Sequence, residues 1–144
     1  GVLVTVAMAM VYIWVSGQVV VAHTQGTSML PTLHSGEMAV LWKQDSYERG
    51  DIVAYVPDPK ETSAPLVMHR IVAVDTQKDI YYLKGDNNYG PDTSTPQDSD
   101  VTGRVLFVMA PWVAYVIVML CGGLTLYTFA KWWRERSVPA TVAV

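Results

Sequence analysis

The fold is decided by the segment VMHRIVAVD, which runs from Val67 to Asp75. The segment is rich in β-branched residues and is followed by turn-forming residues at 76–79, a pattern typical of a β-strand. Shorter runs of the same character, also bounded by Gly, Pro, Asp or Asn, lie at Met38–Trp42, Asp51–Val56 and Ile80–Lys84. These runs predict a mostly β fold, in which a small antiparallel sheet forms one domain over residues 23–104.

Both ends of the chain are apolar. Residues 1–22 and residues 105–130 contain no charged side chain. At about 1.5 Å of rise per residue, a helix of either length crosses a hydrocarbon core about 30 Å thick. We therefore predict a transmembrane anchor helix over 1–22 and a second transmembrane helix over 105–130. For the first run a cleavable signal peptide is the alternative, and the polar residues around Gly17 are compatible with it.

The distribution of charge predicts how these helices are oriented. Residues 23–104 contain seven Lys and Arg and twelve Asp and Glu, a net charge of −5, whereas residues 131–144 contain three basic residues and one acidic residue. Basic residues gather on the cytoplasmic side of membrane proteins. We expect a multi-pass protein with a cytoplasmic tail at 131–144 and an extracytoplasmic domain. The acidic domain argues against a nucleic-acid partner. A single cysteine, Cys121, excludes an intrachain disulfide.

A candidate nucleophile follows the first apolar run. The sequence GTSMLPT places Ser28 two residues after Gly26 and three residues before Pro31. A constrained turn of this kind can present a hydroxyl group and direct backbone N–H groups at an oxyanion. An ordinary turn at the membrane exit is the alternative.

A serine nucleophile needs a base near neutral pH. A free imidazole titrates near ~6.5 and suits this task, so His69 is the candidate base. A histidine within a strand often has only a structural role, and His23 and His34 are competing candidates. Three histidines also permit a metal site in principle, although the carboxylates that would support such ligands cannot be assigned. We predict that neither a metal nor an organic cofactor is needed.

Two candidate acids follow the fourth predicted strand. Asp86 lies in the sequence KGDNN, and Asp92 follows six residues later. An aspartate that orients a histidine and stabilises its cationic form completes a catalytic constellation of serine, histidine and aspartate. Gly-Asp-Asn-Asn is also a favourable turn sequence, so a role in the loop alone is the alternative for either aspartate.

Four short boxes, in this order, resemble those of type I signal peptidases of the archaeal and endoplasmic-reticulum branch. Ser-Met-x-Pro corresponds to Ser28–Pro31, Gly-Asp-Ile-Val to Gly50–Val53, His-Arg-Ile to His69–Ile71, and Gly-Asp-Asn-Asn with its later Asp to Gly85–Asp92. His69 stands where the bacterial branch of this family has a lysine. Many members carry a serine where this chain has Gly26, so the resemblance implies an oxyanion hole made of backbone groups, including the N–H of Ser28.

The resemblance implies a membrane-bound serine endopeptidase that removes signal peptides from exported preproteins after a small-x-small site. Ser28 is then the nucleophile, His69 the base, Asp92 the acid that orients His69, and Asp86 a supporting residue. The expected partners are signal peptides, the lipid bilayer and the protein translocation machinery, in the cell membrane or the endoplasmic-reticulum membrane. Ser28 lies about six residues beyond the predicted anchor, which keeps it near the membrane surface.

Two other functions are compatible with the sequence. The first alternative is a catalytically silent accessory subunit of the secretory machinery. The second alternative is a membrane protease with a Ser-Lys pair. In that case burial lowers the pKa of Lys43 or Lys84 enough for that lysine to act as the base.

Overall fold

The computed structural model describes residues 2–58, 60 and 65–136, so the end of the predicted cytoplasmic tail, residues 137–144, lies outside the described residues. The elements in chain order are α1 (Val2–Val15), β1 (Val19–His23), β2 (Met38–Trp42), β3 (Ile52–Tyr55), β4 (Val67–Asp75), β5 (Ile80–Lys84), a 3₁₀ turn (Asp98–Asp100), β6 (Val101–Met109) and α2 (Pro111–Arg136). They form two units, one made of α1 with the six strands and one made of α2.

The six strands form one sheet in the order β1-β2-β6-β3-β4-β5. Every pair of neighbouring strands is antiparallel, so the predicted antiparallel sheet is confirmed. Strands β2, β4 and β5 begin and end at the predicted residues, and β3 is one residue shorter than predicted at each end. The strand that carries His69 and the strand that precedes Asp92 therefore come from segments that the sequence pattern identified.

The helix bounds predicted for the two apolar ends are wrong. Helix α1 ends at Val15 and is followed by Gly17, whose φ of 71° is the left-handed conformation that glycine commonly supplies just beyond a helix. Residues 19–22 then belong to β1 and not to a helix. At the other end, residues 105–109 belong to β6, and α2 begins at Pro111, a residue favoured in the first helical turn.

Among the described residues, α2 is the one helix that is long and apolar enough to cross a membrane. Its 26 residues extend about 39 Å at 1.5 Å per residue, and none of them is buried. The described part of α1 has 14 residues, fewer than the ~20 that a membrane span requires. Of the two predicted spans, the second thus has a helix of sufficient length, and the first stays a prediction.

Residues on both faces of the sheet are buried. Along β3, Val53 and Tyr55 belong to one apolar cluster and Ala54 belongs to the other, as the alternation of side chains along a strand requires. Leu41, Ile71 and Val53 are almost completely shielded from solvent. The strands β3 and β4 are therefore fixed by packing on each side, and they carry a rigid part of the candidate site.

Candidate active site

Three side chains from three parts of the chain form a continuous line of hydrogen bonds. Ser28 lies in the loop between β1 and β2, His69 lies in β4, and Asp92 follows β5. The Ser28 Oγ is 3.0 Å from the His69 Nε2, and the His69 Nδ1 is 2.5 Å from the Asp92 Oδ2. This is the arrangement in which an imidazole can take a proton from a serine while a carboxylate fixes its other nitrogen.

The histidine and aspartate of this line are shielded from water. His69 is 7% exposed, and the Asp92 carboxylate also accepts a hydrogen bond of 2.8 Å from the Tyr55 hydroxyl. The Asp92 backbone N–H donates to the Leu83 carbonyl over 2.7 Å. Burial, the hydrogen bond to Asp92 and the negative charge of Asp92 all raise the pKa of Tyr55 well above its usual value. Tyr55 therefore stays protonated and donates to the carboxylate.

The loop that carries Ser28 is a tight turn. The N–H groups of Thr32 and Leu33 both donate to the Met29 carbonyl, over 2.8 and 3.0 Å, and the Leu30-Pro31 peptide bond is cis. Ser28 itself lies within a further turn, in which the Leu30 N–H donates to the Thr27 carbonyl over 3.2 Å.

The backbone around Ser28 is suited to bind an oxyanion. Gly26 has a φ of 89°, a conformation that strains other residues and favours glycine. Within the described ranges, the Ser28 N–H donates to no protein acceptor. This N–H is therefore available to a developing negative charge on a substrate carbonyl oxygen.

Asp86 lies in a separate ion pair. Its carboxylate accepts hydrogen bonds from Nε and Nη2 of Arg70 over 2.8 and 2.7 Å, and from the Thr32 hydroxyl over 2.6 Å. Arg70 also donates to the Gly50 carbonyl over 2.9 Å. The hydrogen bonds from Arg70 hold the pKa of Asp86 below its usual value. Asp86 thus links the Ser28 loop to β4 through Thr32, whereas Asp92 contacts His69 directly.

The segment after β5 also holds the nucleophile loop through its backbone. The Asn87 N–H donates to the Ser28 carbonyl over 2.7 Å, and the Asn87 side-chain amide donates to the Thr27 carbonyl over 3.1 Å. A Cβ atom at Gly85 would lie 2.6 Å from the Ser28 carbonyl oxygen. The Gly-Asp-Asn-Asn box is therefore packed against the nucleophile loop so closely that only glycine fits at its first position.

A small cavity opens beside the nucleophile. It has a volume of about 160 Å³ and is lined by residues of the Ser28 loop, by His23 and His34, and by Leu66–Met68. Strand β4 pairs with β3 from Val67 onward, but its pairing with β5 starts only at Arg70. On that side, the first residues of β4 have no strand partner within the described part of the chain, and they form one wall of the cavity.

Comparison with known proteins identifies the family. Residues 5–106 match the peptidase S24-like family, and this match covers more than half of the chain. The chain belongs to the peptidase S24-like family. This S24-like chain is 33% identical over 104 residues to the signal peptidase complex catalytic subunit SEC11 of Candida dubliniensis. The aligned region covers 65% of this chain and 60% of that relative. The chain thus spans less than two thirds of that relative, and the resemblance to signal peptidases is confirmed.

The competing histidines of this S24-like chain lie at the cavity and are not hydrogen-bonded to the serine. His34 is near Glu37, with 3.7 Å between Nδ1 and Oε1, and His23 ends β1. The Ser28 hydroxyl has His69 as its hydrogen-bond partner. Over the described residues, no cluster of three or more His, Cys, Asp or Glu side chains has a geometry that could hold a metal ion.

Two residues that contact this site were not identified from the sequence of the S24-like chain. Tyr55 resembles any aromatic residue in a buried strand, because nothing near it in the sequence indicates that its hydroxyl reaches Asp92. Asn87 belongs to the Gly-Asp-Asn-Asn box, which indicates a turn but does not indicate which segment the Asn87 amide contacts. Both contacts join segments more than 35 residues apart, and a local pattern carries no information on such pairs.

Proposed function

We propose that this chain is a membrane-bound serine endopeptidase that removes N-terminal signal peptides from exported preproteins after a small-x-small site. The observation that carries the proposal is the hydrogen-bonded line from Ser28 through His69 to Asp92, beside an open cavity. The similarity to a signal peptidase catalytic subunit supports the choice of signal peptides as the substrate class.

The proposed mechanism passes through an acyl-enzyme. His69 takes the Ser28 proton through Nε2 as the hydroxyl oxygen attacks the scissile carbonyl carbon. The Ser28 N–H stabilises the oxyanion, and His69 returns the proton to the leaving amine as the peptide bond breaks. His69 then activates a water that hydrolyses the ester. Asp92 keeps the proton on Nδ1 of His69 throughout, and Asp86 holds the loop in place.

The cavity has the size of a pocket for single side chains of a bound peptide. Its volume of about 160 Å³ lies well below the ~300–1,000 Å³ of pockets that accept drug-sized ligands. The wall formed by Val67 and Met68 is a strand edge, so an extended peptide can pair with it and direct alternate side chains into the cavity. Two small residues on the same side of an extended peptide are spaced as in a small-x-small site, because side chains alternate along a strand.

The membrane placement rests on α2. This helix is unburied and apolar, and near its end Lys131, Trp132 and Arg134 form the aromatic and basic group typical of a cytoplasmic interface. We place the six strands on the extracytoplasmic side and the C-terminus in the cytoplasm of a multi-pass protein. The lipid bilayer and the translocation machinery are the proposed partners, and the membrane is the cell membrane or the endoplasmic-reticulum membrane.

The deciding experiment is cleavage of a synthetic preprotein in liposomes, with the new N-terminus of the product sequenced. We expect the wild-type chain to cut after a small-x-small site and Ser28→Ala to be inactive. Ser46→Ala, which alters an exposed serine outside the hydrogen-bonded line, serves as the matched control and should retain activity. No cutting by folded wild-type protein would refute the protease assignment and favour an accessory subunit.

A second comparison separates the proposed enzyme from one with a Ser-Lys pair. We expect His69→Ala to abolish cleavage and Lys84→Ala to retain it, because the Ser28 hydroxyl is hydrogen-bonded to the imidazole. Lys43→Ala should likewise remain active. Loss of activity in a lysine variant that folds normally, together with activity in His69→Ala, contradicts the assignment of the base.

A further inference from the structure

We propose that Tyr55 is a positioning residue, whose hydroxyl holds the Asp92 carboxylate in the orientation that His69 needs. This inference rests on the proposed serine-protease function and adds a fourth residue to the line formed by Ser28, His69 and Asp92. The Tyr55 hydroxyl is hydrogen-bonded to the aspartate and not to the serine, so it acts through Asp92.

The geometry places the tyrosine where it can do this. Tyr55 Oη lies 2.8 Å from Asp92 Oδ2, the same oxygen that is 2.5 Å from His69 Nδ1. Val53 pairs with His69 in the sheet, so Tyr55, two residues further along β3, is a diagonal neighbour of His69 on the same face. The two rings are 6.5 Å apart between centroids. A single carboxylate oxygen thus accepts one donor from β3 and one from β4.

The carboxylate has few other restraints. Among the described residues, the hydrogen-bond partners of its oxygens are the tyrosine hydroxyl and the imidazole. The terminal torsion of an aspartate is broad, so a carboxylate held by one donor rotates more freely than one held by two. The backbone of Asp92 is fixed separately by its N–H to Leu83. Removal of the hydroxyl should therefore loosen the carboxylate without moving the chain that carries it.

The tyrosine ring is itself fixed by the core. Tyr55 is 2% exposed and packs in the cluster that includes Tyr47, Val53 and Ile71. The Tyr55→Phe substitution keeps this packing and removes only the oxygen. Tyr47→Phe is a matched control, because it removes another hydroxyl from the same cluster, one that accepts a hydrogen bond from the Gln44 N–H and does not contact the site.

Cleavage kinetics provide the first test. We expect Tyr55→Phe to lower kcat by about tenfold with KM unchanged, since a lost hydrogen bond to a charged group acts here on the chemical step alone. Tyr47→Phe should leave both constants near their wild-type values. In the background of Asp92→Asn, Tyr55→Phe should have no further effect, because the residue through which it acts has lost its charge. Multiplicative effects in the double variant would overturn the proposal.

Nuclear magnetic resonance provides a test that does not require cleavage. The chain contains three histidines, so labelling histidine with ¹⁵N gives few side-chain signals, and the His69 signal is identified by its loss in His69→Ala. We expect the Nδ1 proton of His69 to exchange faster with water in Tyr55→Phe than in wild type or Tyr47→Phe. Equal exchange in all three overturns the role of Tyr55 even if no substrate is cut, whereas faster exchange without cleavage refutes only the proposed function.

Discussion

Replacement of the two aspartates distinguishes their roles. The side chains of His69 and Asp92 are 9% and 13% exposed, and their facing atoms are 2.5 Å apart. When His69 becomes an imidazolium, the two charge centres lie about 4 Å apart, and their attraction is roughly 4 kcal/mol at an effective dielectric constant of about 20. At about 1.4 kcal/mol per factor of ten, Asp92→Asn should lower kcat by about 1,000-fold.

Asp86→Asn should have a much smaller effect on the rate. The carboxylate of Asp86 pairs with Arg70, whose side chain is 33% exposed, and it contacts neither Ser28 nor His69. A partly exposed ion pair contributes up to about 1 kcal/mol to folding stability, so we expect kcat to fall by less than about tenfold.

The assay for both variants is single-turnover cleavage of a preprotein by enzyme whose folding has been verified by thermal melting. Single-turnover conditions report the chemical step and not product release. A larger rate loss in Asp86→Asn than in Asp92→Asn, at equal folding, would refute the reasoning and exchange the two roles.

Three further predictions concern stability and packing. Gly85→Ala should lower the free energy of unfolding by about 1–3 kcal/mol and remove most of the activity, because its Cβ would lie 2.6 Å from the Ser28 carbonyl oxygen. A thermal melt and the cleavage assay check this prediction, and normal activity contradicts it. The pairing of Asp86 with Arg70 lowers the pKa of Asp86, so its contribution to stability is complete above the ordinary pKa of the carboxyl group and is lost as the pH falls below about 4. The melting temperature of the wild type should therefore fall more steeply than that of Asp86→Asn in that range, and parallel curves contradict the prediction. Leu41→Ala should lower the free energy of unfolding by about 2–5 kcal/mol, measured by denaturant titration, because Leu41 is 0% exposed; a loss below about 1 kcal/mol would contradict its place in the core.

Strands in the middle of the chain were predictable because local composition determined them. The runs at 38–42, 67–75 and 80–84 are each bounded by turn residues and flanked by polar segments, so their ends are visible in the sequence. The same reasoning failed at 19–23 and 101–109. The uncharged residues 19–22 and 105–109 each adjoin an uncharged helix and form one continuous apolar run with it, and hydropathy alone does not separate strand from helix there.

Glycine and proline residues within those runs do mark the boundaries between strand and helix. Gly17 separates α1 from β1, and Pro111 marks the start of α2. The residues of the candidate site are likewise only partly predictable from the sequence. Ser28, His69 and Asp92 could be named from short boxes, whereas the hydroxyl of Tyr55 could be assigned only once the register of β3 against β4 was known.

The position of β6 in the sheet affects when the site can exist during synthesis. The hairpin of β1 and β2 carries the nucleophile loop, and the meander of β3, β4 and β5 carries the base and its acid. Within the sheet these two halves are joined only through β6, which is the last strand to leave the ribosome. A nascent chain that ends before Val101 contains every residue of the hydrogen-bonded line but lacks the strand that joins its two parts. The sheet that joins the nucleophile loop to the base and its acid is therefore complete only once Val101–Met109 has been synthesised.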